Sequence, residues 1–206
     1  MSNSHSSAKQ LLIVGAGDIA ARALPRLISG FSVVALARSG ARALELLGAR
    51  CIVADLDRPE TLTALPAAEF LLHSAPPQLA GPRDQRTRNL VAALDRAAAK
   101  APVMLPRRYP RRVVYISTSG VYGDCAGARV DESRPPNPAT DRARRRCDAE
   151  QVLSDWAARH GVALVVLRVP GIYGDGRFPL ERLRKGTPVL AREDDVYTNH
   201  IHAADL

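Results

Sequence analysis

The sequence predicts a doubly wound α/β domain, a parallel sheet with helices on both faces. Three observations predict it. Short apolar runs alternate five times with stretches of helical periodicity, the pattern of strands joined by crossover helices. The first run, Leu11–Val14, stops at a glycine turn and passes into an alanine-rich helical pattern. The chain has 206 residues, 46% hydrophobic and only 4% aromatic, enough for one domain with a large core of Leu, Val, Ile and Ala.

Taken in order, the first strand leads into a helix in which Pro25 predicts a kink or an early end, although Arg26-Leu27-Ile28 can continue it. Ser32–Ala37 reads as a second buried strand, Arg42–Leu47 as a short helix and Arg50–Ala54 as a third strand. Pro59–Leu65 reads as a helix and Glu69–Leu72 as a fourth strand. Leu90, Val91, Leu94 and Ala98 recur at helical spacing and predict a long helix over Arg83–Lys100. Ala101–Arg112 is rich in Pro and Arg and reads as an exposed loop before a fifth strand, Val113–Ile116. A charged, Pro-rich stretch over Asp124–Thr140 precedes a helix near Asp141–His160, closed by Gly161, and then a strand over Ala163–Leu167. Residues 1–9 are polar and read as a disordered tail, with one domain over 10–206.

The glycine turn carries chemistry. Gly15-Ala16-Gly17-Asp18-Ile19-Ala20 has the spacing G-x-G-x-x-A between a strand and a helix, a dinucleotide-binding fingerprint. Gly15 makes the turn and Gly17 lets backbone approach a pyrophosphate, while Ala20 lets the helix sit close to the strand. The N–H groups of the first helical turn, at Asp18 and Ile19, face the phosphates. At the end of the second strand, where an acid would hold ribose hydroxyls, Arg38-Ser39 stands instead. A guanidinium matches a phosphate in charge and forked geometry, which points to NADP(H) in preference to NAD(H). Asp55-Leu56 ends the third strand; Asp55 is placed either to accept from an adenine amino group or to cap the helix that follows. Ser74, Ala75 and Pro76, after the fourth strand, suit a backbone that lines the cofactor. Ser117 and Thr118 put hydroxyls at the end of the fifth strand, facing the same crevice. His73 reads as structural.

Net charge is +8, and all of the 29 basic residues are Arg except Lys9, Lys100 and Lys185. The Arg residues are scattered, with few aromatics to stack bases, which argues for a solvated surface and against nucleic-acid binding. Cys51, Cys125 and Cys147 are widely spaced, which counts against a disulfide framework or a metal site. The N-terminus lacks the apolar segment of a secretory signal, and no run approaches the ~20 apolar residues of a membrane span, so the expectation is a cytoplasmic protein with no membrane partner.

VGAGDIA, VYISTSGVYGD, LRVPGIYGDGR and NHIHAADL occur in this order from about residue 11 onward. In this the chain resembles the short-chain dehydrogenase/reductase superfamily, in its extended, epimerase/dehydratase-like branch, and the fold implied is of Rossmann type. The branch's usual glycine pattern is G-x-x-G-x-x-G, so the shorter spacing suggests an atypical subgroup. The resemblance implies that Thr118 hydrogen-bonds the reacting carbonyl or alcohol, that Pro170 and Gly171 border the nicotinamide, and that His202 and Asp205 are structural. Members carry a Tyr-x-x-x-Lys pair with a Glu four residues past the Lys. Aligned on Glu150, that pair becomes Arg142 and Arg146. Arg cannot change protonation near neutral pH, so Arg142 cannot replace the tyrosine as acid/base, while Arg146 can still assist at the ribose.

The resemblance leaves two expectations. One is an NADP(H)-dependent oxidoreductase or epimerase/dehydratase acting on a small carbonyl or sugar-like substrate; the other is a cofactor-binding sensor or scaffold without turnover. Family members often dimerise through the two long helices, so a homodimer is also expected. Extended members have a C-terminal substrate lobe, and the chain reads as a fragment or as having a shortened lobe.

Overall fold

The computed structural model describes residues 9–102, 107–192 and 195–206. Residues 1–8, which hold most of the expected disordered tail, lie outside it, but Lys9 already belongs to the first strand. Six parallel strands form the sheet: β1 (Lys9–Val14), β2 (Phe31–Ala37), β3 (Arg50–Val53), β4 (Phe70–His73), β5 (Arg112–Thr118) and β6 (Ala163–Val169). Their order is β3-β2-β1-β4-β5-β6. Chain direction across the sheet therefore reverses between β1 and β4, where an open α/β sheet leaves a crevice at the strands' carboxyl ends. Val14 is in register with Leu36 on one side and His73 on the other.

Helices α1 (Asp18–Leu27) and α2 (Ala41–Leu46) cover one face, over Leu11, Ile13, Val33 and Ala35. Helices α3 (Gln85–Lys100) and α4 (Asp141–His160) cover the other, over Leu12, Val14, Val34, Leu71, Val113 and Tyr115. Neighbouring residues of one strand thus enter opposite cores, which is why the strands read as continuous apolar runs. A small parallel pair, β7 (Gly171–Tyr173) and β8 (His200–His202), follows β6, with a short helix α5 (Leu180–Arg184) between its strands.

Three expectations change. Helix α1 runs through Pro25 to Leu27, and the Ile28 N–H bonds Leu24 O at 3.0 Å. Burial of Ala20 and Leu24 against the sheet holds the helix despite its proline. The helix expected over Pro59–Leu65 is only a 3₁₀ turn, Pro59–Thr61. There the Thr61 hydroxyl bonds Arg58 O at 2.7 Å and receives Asp55 N–H at 2.9 Å, satisfying backbone that a helix would otherwise use. Asp55 does not cap that turn; its Oδ1 accepts Asp57 N–H at 3.0 Å. By contrast α4 ends as expected, with Gly161 left-handed at φ 63° and Thr140 capping its start by accepting Ala143 N–H. No helix among the described residues is long and apolar enough to cross a membrane.

Candidate cofactor cleft

At the carboxyl ends of β1 to β4 lies an open cleft of about 240 Å³. Gly15, Gly17, Arg38, Ser39, Asp55, Leu56, Ser74, Ala75 and Pro76 border it, so the structure brings together nine residues that the sequence marked on four separate segments. Its base lies where β1 and β4 run side by side. The N–H groups of Ser74 and Ala75 both bond Val14 O, at 2.9 and 3.1 Å, and the Ser74 hydroxyl donates to Gly15 O at 2.7 Å. Gly15 has φ +87°, and a Cβ there would lie 2.3 Å from Ala75 N. A Cβ on Gly17 would meet no protein atom within 4 Å; what the missing side chain leaves is open space at the start of α1. No side chain caps that helix start. Its first-turn N–H groups, including those of Asp18 and Ile19, are the ones a helix cannot satisfy internally.

The far end of the cleft is cationic. Arg38 is exposed there, and no hydrogen bond or ion pair with a described residue holds it. Arg86, from the first turn of α3, also borders the cleft. Its guanidinium donates to both carboxylate oxygens of Asp57, at 2.7 and 2.5 Å, and to Pro76 O at 2.9 Å. The Arg86 hydrogen bond, with Arg38 adding charge nearby, holds the Asp57 carboxyl below its usual range. Arg86 thereby ties the loop after β3 to the loop after β4. Sequence reasoning missed it: the only local signal is the nearby Asp84, which caps α3 by accepting Arg86 and Thr87 N–H groups and so fixes where the first turn points.

The remaining expected residues do not border this cleft. The Asp18 carboxylate turns to Arg22 and Arg177. Ser117 faces α4 instead of the crevice and donates to the Glu150 carboxylate, because alternation along β5 sends it to that side. Thr118 caps the 3₁₀ turn Ser119–Tyr122 and receives Gly120 N–H at 3.2 Å. Arg146 is 7% exposed and lies between α4 and β5, donating to the Tyr115 hydroxyl at 2.9 Å and to Ile116 O at 2.8 Å. In this structure it is a core residue, while Arg142 points to solvent. Burial pushes the Tyr115 phenol up to about 12, against the nearby Arg146 charge. His73 is buried and lowered to about 3, chiefly by burial and then by Arg146, which fits its structural reading.

Pro170 borders a second, larger cavity of about 890 Å³ beside β6, together with Tyr122, Glu150 and Arg168. Gly171 opens β7, where a Cβ would press on the His200 ring at 2.8 Å. Arg168 bonds Glu150 at 2.9 Å and the Tyr122 hydroxyl at 3.0 Å, and its guanidinium lies 4.8 Å from the centre of the Tyr122 ring.

Over residues 11–193 the sequence matches the NAD dependent epimerase/dehydratase family. The chain belongs to this family. A structure from Silicibacter pomeroyi DSS, described as a functionally unknown conserved protein, is 31% identical with a TM-score of 0.70, covering 96% of this chain and 64% of its own. The dTDP-D-glucose 4,6-dehydratase of Mus musculus is 28% identical over 79 residues, 38% of this chain and 22% of that one. The UDP-glucose 4-epimerase of Thermus thermophilus, solved in complex with NAD, has the same fold at 22% identity and TM-score 0.71, covering 95% of this chain and 71% of its own. The chain thus spans under two thirds of the Silicibacter protein and about a fifth of the mouse dehydratase.

Proposed function

We propose that this member of the family binds NADP(H) in the cleft at the carboxyl ends of β1 to β4, and acts as an oxidoreductase or epimerase/dehydratase on a small carbonyl or sugar-like substrate. The observation that carries the cofactor assignment is Arg38, a guanidinium held by no described partner, at the end of β2 and beside the glycine loop. The Thermus epimerase holds NAD; the preference for the phosphorylated form rests on Arg38. Gly17 and the first turn of α1 would hold the pyrophosphate, Arg38 and Ser39 the 2′-phosphate, and Asp55 and Leu56 the adenine. The fit is physical: a glycine with open space above it, next to the uncapped start of α1, and a cation that no described residue holds border one cleft. Bound there, the cofactor supplies hydride acceptance and return.

For turnover, the proton has to come from another group. Arg142 cannot supply it, and His73 is buried and neutral at ordinary pH. The candidates are Thr118, at the family's second hydroxyl position and acting through a water, and Tyr122, the phenol that borders the larger cavity. A second reading, NADP(H) binding without turnover as a sensor or scaffold, is favoured by Arg142 in solvent and Arg146 in the core.

Calorimetric titration separates these readings. NADPH should bind at least about tenfold tighter than NADH, and Arg38→Ala should erase the difference. Equal or tighter NADH binding would overturn the NADP(H) assignment. Rapid-mixing oxidation of NADPH with a panel of carbonyls and sugar nucleotides then divides enzyme from sensor: tight binding with no hydride transfer to any of them supports the second reading.

A further inference from the structure

Asp18 is the first residue of α1, directly after Gly17. A carboxylate there suits the helix dipole but stands where the phosphates of a dinucleotide arrive, so its charge needs an answer. Two guanidiniums supply it. Arg22, one turn along the same helix, donates Nε to Oδ1 at 2.9 Å, and Arg177 donates Nε to Oδ2 at 2.6 Å. The Arg177 hydrogen bond is the main reason that the Asp18 carboxyl sits below its usual range. Arg177 lies 159 residues away in sequence, on a turn closed by its N–H to Gly174 O at 3.0 Å. Gly174 and Gly176 have φ 143° and 75°, which glycine adopts without strain. The Arg22 Nη2 group ties down the same turn by donating to Asp175 O at 2.6 Å.

We propose that Arg177 is a further ligand of the cofactor pyrophosphate and that Asp18 is its positioning residue. The inference rests on the reading of the cleft as a dinucleotide site. Asp18 takes only the Nε of Arg177, and no described residue takes its Nη groups, so the outer donors of the guanidinium stay free beside the glycine loop. At the Asp18 carboxylate itself two guanidiniums stand against one carboxylate. Arginine keeps its charge at every working pH and presents parallel donors to phosphate oxygens. The turn after β7 is thereby held against the start of α1, next to Gly17.

The test compares two probes, NADPH and adenosine 2′-monophosphate, the second lacking the pyrophosphate. Arg177→Ala should weaken NADPH about tenfold or more and leave adenosine 2′-monophosphate within about twofold, with Arg177→Lys between the variant and the native chain. Asp18→Asn should weaken NADPH severalfold, because it releases Arg177. Unchanged NADPH affinity in Arg177→Ala, or tighter NADPH binding in Asp18→Asn, would overturn the assignment while leaving the cleft reading intact. Equal weakening of both probes would make the pair a structural strap and overturn it too. Arg177→Gln, which keeps the side chain's length, repeats the comparison should the alanine variant fold poorly. If the native chain binds neither probe, the cleft reading fails and the inference fails with it.

Discussion

Gly15 and Gly17 stand two residues apart and do different work. At Gly15 a Cβ would sit 2.3 Å from the backbone nitrogen of Ala75, at a φ of +87° that side chains avoid. At Gly17 it would meet nothing. Gly15→Ala should therefore lower stability by about 2–4 kcal/mol, from the backbone clash together with left-handed strain, read as a shifted denaturant midpoint. Gly17→Ala should leave that midpoint within about 1 kcal/mol of the native chain yet weaken NADPH binding in the same preparation. Equal loss of stability in both variants would show that the loop is built for packing alone. At this scale the spacing along the chain marked Gly15, Gly17 and Arg38, and the structure sets all three on the border of one cleft. The ion pairs of Arg86 and Arg177 were not marked, because each meets its carboxylate 29 or 159 residues away.

Among the elements, α4 shows what a sequence match can and cannot carry. Its limits follow from local signals, a Thr that caps and a left-handed Gly that stops, and both are visible in the chain. Which face it buries is another matter. Alignment on Glu150 puts Arg146 at the position of a cofactor-binding lysine, but the helix packs so that Arg146 enters the core against Tyr115 and the carbonyl of Ile116. Arg146→Lys should cost about 1–3 kcal/mol, since one ammonium cannot reproduce both bonds in that buried geometry, whereas the exposed Arg142→Tyr should stay within about 0.5 kcal/mol. A neutral Arg146→Lys in thermal or denaturant melts would return residue 146 to the crevice. The segment after β3 failed for a related reason: Pro59 and Asp55 are good helix-start signals, but the Thr61 hydroxyl captures the backbone before a second turn can form.

For the whole molecule, a parallel sheet with helices on both faces was implied by the alternation of elements, and the cleft lies where the order β3-β2-β1-β4-β5-β6 reverses. The polar chain that fastens the α3–α4 face to the sheet was not implied. Asp84 accepts the Thr87 hydroxyl at 2.8 Å, and Thr87 Oγ1 lies 2.9 Å from His73 Nε2. The His73 ring is 5.0 Å from the Tyr115 ring, whose hydroxyl receives Arg146. Four elements meet there, so the titration of one group is felt as global stability. Burial lowers His73 from an ordinary 6.5 to about 3, with Arg146 adding to the effect, so the folded chain keeps it neutral while the unfolded chain takes up a proton below about pH 6.5. The unfolded state then binds more protons, and stability falls as pH falls. Between about pH 7 and about pH 5.5 this single group should remove about 1 kcal/mol. His73→Gln retains a donor for Thr87 but cannot titrate, so its advantage or deficit against the native chain should change by that amount across the interval. Asp84, which burial raises, and the other histidines are present in both proteins and cancel in the difference. Parallel stability curves for the two proteins would mean that His73 is reached by solvent protons in the folded state, and the polar chain would then be an open cluster instead of the pin between the two helices and the sheet.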